Sequence, residues 1–362
     1  PPAGHLALCT ANLKDADYAS IGPTSAAGTP DKHFDTLLWE GNSSVGPRNI
    51  GGLNFRPDLV WTKTRDASYS HELHDSLRGG DKVIYPDLSA AEDNAGTTVD
   101  YLDFNDNGID VGFHSSWKGK NETGKDYVAW CWKAGNETKI NNKGNNQSTV
   151  SVNQDAGFSI VSWNSIGGTS NPDTWIGHGL ETAPEFIIIK SREDGTENWH
   201  VYTDKIDGSW DYLYLNTTAA KADSSYPAAT SDYFYWISGE GENYIAYCWH
   251  SVEGYSKCGA YIGNNNADGP FVYLGFKPAL IILKKNADEG WIMVDNKRDP
   301  NNVVVTSVSP QGNAAERTDL TDIDFLSNGF KLRGTDSSQN SNDATYLYMA
   351  WAEMPFKYAT GR

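Results

Sequence analysis

A glycan-cleaving enzyme needs two carboxyl groups held about 5 to 10 Å apart. Two pairs in this sequence are spaced to share one face of a strand, Asp322 with Asp324 and Asp100 with Asp103. The chain holds 47 acidic residues, so pairs two residues apart arise without any catalytic reason. Metal binding is suggested by Asp103-x-Asn105-x-Asn107-Gly108, which matches the first half of a calcium loop. The twelfth position of such a loop carries a bidentate Glu, and here it is His114, so a plain turn is expected and no metal. Of the eight histidines only His71 and His74 lie close together, and residues three apart on a strand point to opposite faces. Cys9, Cys131, Cys248 and Cys258 have neither CxxC nor metal-ligand spacing, so neither a disulfide framework nor a zinc site is expected. GxSxG, HExxH and Walker loops are missing, as is GxGxxG between a strand and a helix. The sequence therefore predicts a protein that is not an enzyme and carries no cofactor.

Binding is the chemistry the aromatic residues favour. Most of the thirteen tryptophans recur at matching positions of an internal repeat and are expected in the core, but Trp117, Trp175, Trp210 and Trp236 have no counterpart. Trp117 (Ser115-Ser-Trp-Lys-Gly119) and Trp210 (Asp207-Gly-Ser-Trp-Asp211) lie in polar, Gly-bearing surroundings. A flat ring flanked by Asp, Asn and Ser can hold a sugar by stacking on its apolar face while polar groups bond its hydroxyls. The alternative expectation is that these rings anchor a loop or a subunit contact. These four tryptophans are the candidate binding residues.

The scaffold that must carry them reads as strands. Thirty-five Gly, 19 Tyr and 13 Trp against 3 Met favour short aromatic strands joined by tight turns. Pro57-Asp-Leu-Val-Trp-Thr-Lys63 returns as Pro184-Glu-Phe-Ile-Ile-Ile-Lys190 and as Pro278-Ala-Leu-Ile-Ile-Leu-Lys284. A closing run recurs as Tyr127-Val-Ala-Trp-Cys-Trp132, Tyr244-Ile-Ala-Tyr-Cys-Trp249 and Tyr348-Met-Ala-Trp-Ala-Glu353, which sets Cys131 and Cys248 opposite Ala352 as small buried residues. Opening strands end at Trp39, Trp163 and Tyr261. Asn107-Gly108 and Asn328-Gly329 predict type I′ hairpins in the first and third copies, whereas Tyr233–Gly239 fills that slot in the second with a different turn. The expected fold is all-β, three diverged tandem β-sandwich (jelly-roll-like) repeats. Their predicted limits are 33–136, 157–250 and 251–356, with a linker at 137–156 and a tail at 357–362. Residues 1–32 read as a leader continuing from an upstream region.

A net charge of −18 argues against nucleic acid, because a polyanion is held through a basic face. No run approaches the roughly 20 apolar residues of a membrane span, so no membrane insertion is expected.

Phe55-Arg-Pro-Asp-Leu-Val-Trp-Thr-Lys63, Tyr127-Val-Ala-Trp-Cys-Trp-Lys-Ala-Gly135, Gly157-Phe-Ser-Ile-Val-Ser-Trp163 and Gly254-Tyr-Ser-Lys-Cys-Gly-Ala-Tyr-Ile-Gly-Asn264 together resemble a repeat region of tail-fibre and receptor-binding proteins of marine bacteriophages, cyanophages in particular. The resemblance spans residues 33 to 356, and the leader from Pro2 to Leu13 resembles the segment that follows a lectin-like sandwich in such proteins. It implies a virion tail appendage, extracellular when functioning, that attaches to a host-surface glycan or protein receptor beside other tail proteins, usually as a homotrimer. It supplies no catalytic residues. A tailspike-like polysaccharide depolymerase and a purely structural appendage or adaptor are the alternative expectations.

Overall fold

The apolar runs of the three copies form strands that are buried on both faces, which is why they read as unbroken hydrophobic stretches rather than alternating ones. The computed structural model describes residues 29–44, 46–94, 102–113, 120–167, 174–237 and 239–353. Among them, a 3₁₀ turn (Pro30–Lys32) and one short helix, α1 (Ser337–Asn340), are the only elements that are not strands. The first unit holds β1 (Phe34–Glu40), β2 (Arg48–Gly51), β3 (Leu59–Thr64), β4 (Glu72–Asp75), β5 (Lys82–Val83), β6 (Asp93–Asn94), β7 (Leu102–Asn105), β8 (Gly108–Val111) and β9 (Asp126–Trp132). The second holds β10 (Lys139–Asn141), β11 (Ser148–Asn153), β12 (Phe158–Ile166), β13 (Trp175–Gly177), β14 (Phe186–Ser191), β15 (His200–Thr203), β16 (Asp211–Tyr214), β17 (Ala222–Asp223), β18 (Tyr233–Tyr235) and β19 (Glu240–Trp249). The third holds β20 (Ser256–Ile262), β21 (Phe271–Tyr273), β22 (Pro278–Lys285), β23 (Trp291–Asp295), β24 (Ser307–Val308), β25 (Ile323–Leu326), β26 (Gly329–Leu332) and β27 (Thr345–Ala352).

One antiparallel order runs through all three units: β1-β9-β3-β4, β12-β19-β14-β15 and β20-β27-β22-β23. A second layer accompanies each main sheet, β2-β8-β7 in the first unit and β21-β26-β25 in the third, but only the pair β13-β18 in the second. Residues 137–156 are not the expected linker. They supply β10 and β11, which together with β16 and β17 extend the second main sheet to eight strands.

Because side chains alternate along a strand, each closing strand serves two cores. Tyr127, Ala129 and Cys131 of β9 face the second layer of their own unit, whereas Val128, Trp130 and Trp132 face a core shared by all three units. Tyr244, Ala246 and Cys248 divide from Ile245, Tyr247 and Trp249 in the same way. In β27 the corresponding sets are Tyr346, Tyr348 and Ala350 against Leu347, Met349 and Trp351. The three main sheets thus enclose one central core, at which Trp132, Trp249 and Trp351 meet with ring centroids 5.2 to 6.3 Å apart.

Strand pairing corrects the third copy by two residues. Trp39 stands opposite Tyr127, Trp163 opposite Tyr244, and Tyr261 opposite Tyr346 rather than Tyr348. Trp351 therefore matches Trp132 and Trp249, Met349 matches Trp130 and Tyr247, and the small residue matching Cys131 and Cys248 is Ala350, not Ala352. A slip of two leaves every side chain on its proper face, so hydrophobic pattern alone does not detect it. The Asn-Gly hairpins also differ from expectation. Gly108 and Gly329 open β8 and β26, and neither they nor Asn107 and Asn328 have a positive φ. These glycines are required by close approach instead, since a Cβ would collide with the carbonyls of Ile50 and Val272 on the neighbouring strands.

Directional contacts close the three units into a ring. Tyr247 Oη donates to Asp75 (2.7 Å) and Trp199 Nε1 to the carbonyls of Tyr85 and Leu88, linking the second unit to the first. Trp291 Nε1 donates to Tyr214 O (2.8 Å), linking third to second, and Trp130 Nε1 donates to Asp295 (3.1 Å), linking first to third. Bidentate pairs repeat two of these links: Arg192 with Glu92, and Arg65 with Glu316.

Candidate functional site

The second unit departs from the other two on the outer side of its main sheet. Val201, Leu213 and Leu215 turn into the central core, and the alternating residues place His200 and Tyr202 of β15 beside Tyr212 and Tyr214 of β16 on the opposite face. His200 pairs across the strands with Tyr214, ring centroids 5.0 Å apart, and Tyr202 pairs with Tyr212 at 6.0 Å. Trp210 stacks on Tyr202 at 5.9 Å and 17°, and Trp236 meets His200 edge-on at 5.0 Å. Strand register shows how specific this face is. The residues matching His200 and Tyr202 are Ile292 and Val294 in the third unit, which pack against Ile323 and Phe325 of β25. In the first unit they are Glu72 and His74, and Glu72 pairs with the buried Lys120. Among the described residues the second unit has no strand matching β25, and Trp210, Tyr212, Tyr214 and His200 stay half-buried.

Burial sets the electrostatics. It pushes the Glu197 carboxyl up to about 7 against the lowering pull of Lys190, and Glu197 Oε1 lies 3.9 Å from His200 Nδ1. It pushes His200 down to about 4, so the imidazole is neutral at pH 7. Lys190 is held down to about 8 by burial, and its ammonium donates to Asp194 O (2.9 Å). Tyr244 donates to Glu242 Oε2 (2.7 Å). The indole N–H of Trp236, a residue 4 % exposed, has no acceptor among the described residues. Aromatic rings, one buried donor and a carboxyl able to donate or accept can bind a polyol, and they include no nucleophile–base pair.

The candidate tryptophans separate accordingly. Trp210 and Trp236 belong to this face, but Trp236 is a core residue that offers an edge rather than an open ring. Trp175 sits on β13 beside Tyr233 and Tyr235, in a separate cluster. Trp117 lies outside the described residues, as do Cys9, Asp100 and His114. His200, Tyr202, Tyr212, Tyr214 and Glu197 were not singled out in the sequence, where the aromatic alternation of Tyr212-Leu-Tyr214 and His200-Val-Tyr202 reads as core.

The remaining chemistry is structural. Asp103-x-Asn105-x-Asn107 is the β7–β8 hairpin, with Asn105 bonded to Asp110. Asp324 is engaged by Arg333. Asp207, Asp211 and Asp223 cluster within 4.8 Å, but Lys221 Nζ already sits among them at 2.6 to 2.9 Å. Cys131, Cys248 and Cys258 are free and buried, and burial raises all three thiols. A second cleft of the same unit, about 390 Å³ and lined by residues such as Asn146, Thr149 and Asn164, is neutral, and its amides largely bond each other and nearby carbonyls.

Four histidines give the fold a pH dependence. Burial holds His74, His178 and His200 down to about 4, and His71 well below its usual 6.5. All four are neutral when folded, and the unfolded chain takes up their protons below pH 6.5, so their contribution is complete above 6.5 and is lost as pH falls towards 4. Glu197, raised to about 7, works the other way between 4.5 and 7, as do Asp58, Asp87 and Asp211, which burial raises from 3.8, while Glu72, Glu92 and Glu185 are held below their usual 4.5 and act with the histidines. The urea midpoint is expected to fall between pH 6.5 and 4.5, and a flat or rising midpoint would contradict neutral burial of these imidazoles.

One chain whose three main sheets share one strand order and enclose one tryptophan-lined core is an all-β protein of antiparallel sheets. The chain belongs to the family described as a domain of unknown function, DUF7483, whose model matches residues 29–355 and so takes in all three units. No curated protein and no solved structure matches it.

Proposed function

We propose that this protein is a virion tail-fibre or tail-tip component, built from three diverged β-sandwich repeats, that attaches to a host cell-surface glycan without catalysis. The observation that carries the binding part is the aromatic face of the second unit, where the slot of the core residue Ile292 holds half-buried His200 beside half-buried Trp210, Tyr212 and Tyr214. The virion setting rests on the resemblance of the repeat motifs to marine phage tail proteins, and with it the other tail proteins as partners and a homotrimer as the assembled form. Half-buried rings on a rigid sheet suit weak sugar contacts that several copies on one appendage strengthen together.

Purified protein is expected to bind host cells and to be competed off by the host polysaccharide, with Tyr212→Ala and Trp210→Ala reducing binding and Trp175→Ala leaving it intact. Appearance of reducing ends would instead establish a depolymerase. Absence of binding across plausible hosts would leave a structural appendage.

A further inference from the structure

We propose that the aromatic face of the second unit is selective for an uncharged sugar ring, packed into the corner between Tyr212 and Tyr214 with its polar substituents towards Trp236 and Glu197, and that it excludes uronic, sialic and sulfated sugars. This rests on the reading of the protein as a glycan binder and adds the class of glycan.

Three features point this way. Alternation along β16 puts Tyr212 and Tyr214 on one face, both half-buried, with ring centroids 5.5 Å apart and planes at 67°, so that a sugar's C–H face can lie on one ring while the other walls it. Trp236 Nε1 is a buried donor without an acceptor among the described residues, next to His200, and a hydroxyl or acetamido oxygen would satisfy it. The charged groups around Glu197 are Lys190, Asp194 and Glu242, with neutral His200 and Tyr244 completing its surroundings. The one cation of that set is buried and donates to the Asp194 carbonyl. An anionic sugar would therefore bring its charge beside carboxyl groups with no free cation among these described residues to receive it, a like-charge placement that disfavours binding. A neutral sugar meets no such opposition.

The full chain should be titrated calorimetrically against neutral oligosaccharides of hexose and N-acetylhexosamine and against uronate-containing and sulfated oligosaccharides of the same length. Binding of a neutral class is expected, weakened about tenfold by Tyr212→Ala and separately by Tyr214→Ala, as loss of about 1.4 kcal/mol of stacking requires. Glu197→Gln is expected to narrow the preference for neutral over uronate ligand by about tenfold. Wild-type preference for an anionic glycan, sensitive to Tyr212→Ala, would overturn the inference and leave the glycan-binding reading standing. Neutral binding untouched by both tyrosine variants would overturn the site. No binding of any glycan or host cell would remove the underlying reading itself.

Discussion

Asp295→Ala is expected to destabilise the protein by about 3–5 kcal/mol, the usual result of removing one partner of a fully buried ion pair. Asp295 and Arg298 have wholly buried side chains, and the Asp295 carboxylate also accepts from Trp130 Nε1 and from the backbone N–H groups of Lys297 and Arg298. The Arg298 guanidinium lies 5.3 Å from the Trp130 ring centre, and its next carboxylate, Glu316, is 3.6 Å away and partly solvated. Truncating Asp295 strands a buried cation and a buried indole donor together.

The internal repeat supplies its own remedy. Asp75, Arg78 and Tyr247 form the same constellation between the first and second units. At the corner between the second and third units the matching positions hold Thr203, Ile206 and Met349. Where the arriving side chain carries a donor, an Asp–Arg pair receives it, and where it is Met, the receiver is nearly apolar. Replacing Trp130, Asp295 and Arg298 together by Met, Thr and Ile is therefore expected to recover at least about 2 kcal/mol relative to Asp295→Ala, since a well-packed apolar substitute for a buried pair is often neutral or better. Urea denaturation at unchanged m value measures both variants. A triple variant no more stable than the single one would mean that this corner depends on its charges.

How far the sequence foretold all this depended on which physical signal each feature leaves. Runs such as Phe186–Ser191 and Tyr244–Trp249 announce buried strands, so the all-β class and the recurring strand set were legible. The two-residue slip in β27 was not, because it preserves the facing of every side chain and only the pairing of Tyr261 with Tyr346 resolves it. Residues 137–156 read as a linker because β10 is an edge strand with exposed residues, including Ile140 at 60 %, and polar edge strands resemble loops in composition. Of the candidate site, Trp210 was legible from its polar neighbours. The tyrosines beside it were not, because aromatic alternation on a strand ordinarily means core, and here no strand among the described residues covers it. Closure of the ring was also out of reach, since it joins residues as far apart as Arg65 and Glu316.

That closure makes the stability of the units inseparable, and Trp351→Ala tests it. The Trp351 ring is 1 % exposed and lies 5.2 Å from Trp132, 5.9 Å from Trp249 and 5.9 Å from Phe34, so its removal opens a cavity bordered by all three units. A loss of about 3–5 kcal/mol is expected. Independent tandem domains would respond with a lowered transition for the third unit alone, the first two keeping their midpoints. Here each main sheet buries one face only against the other two, so none retains a complete core once a neighbour has unfolded. Calorimetry should therefore record one endotherm for the wild type and one, at lower temperature, for Trp351→Ala, with calorimetric and van't Hoff enthalpies in agreement. Two separated transitions in the variant, one of them at the wild-type midpoint, would show that the central core is an interface between units that fold alone.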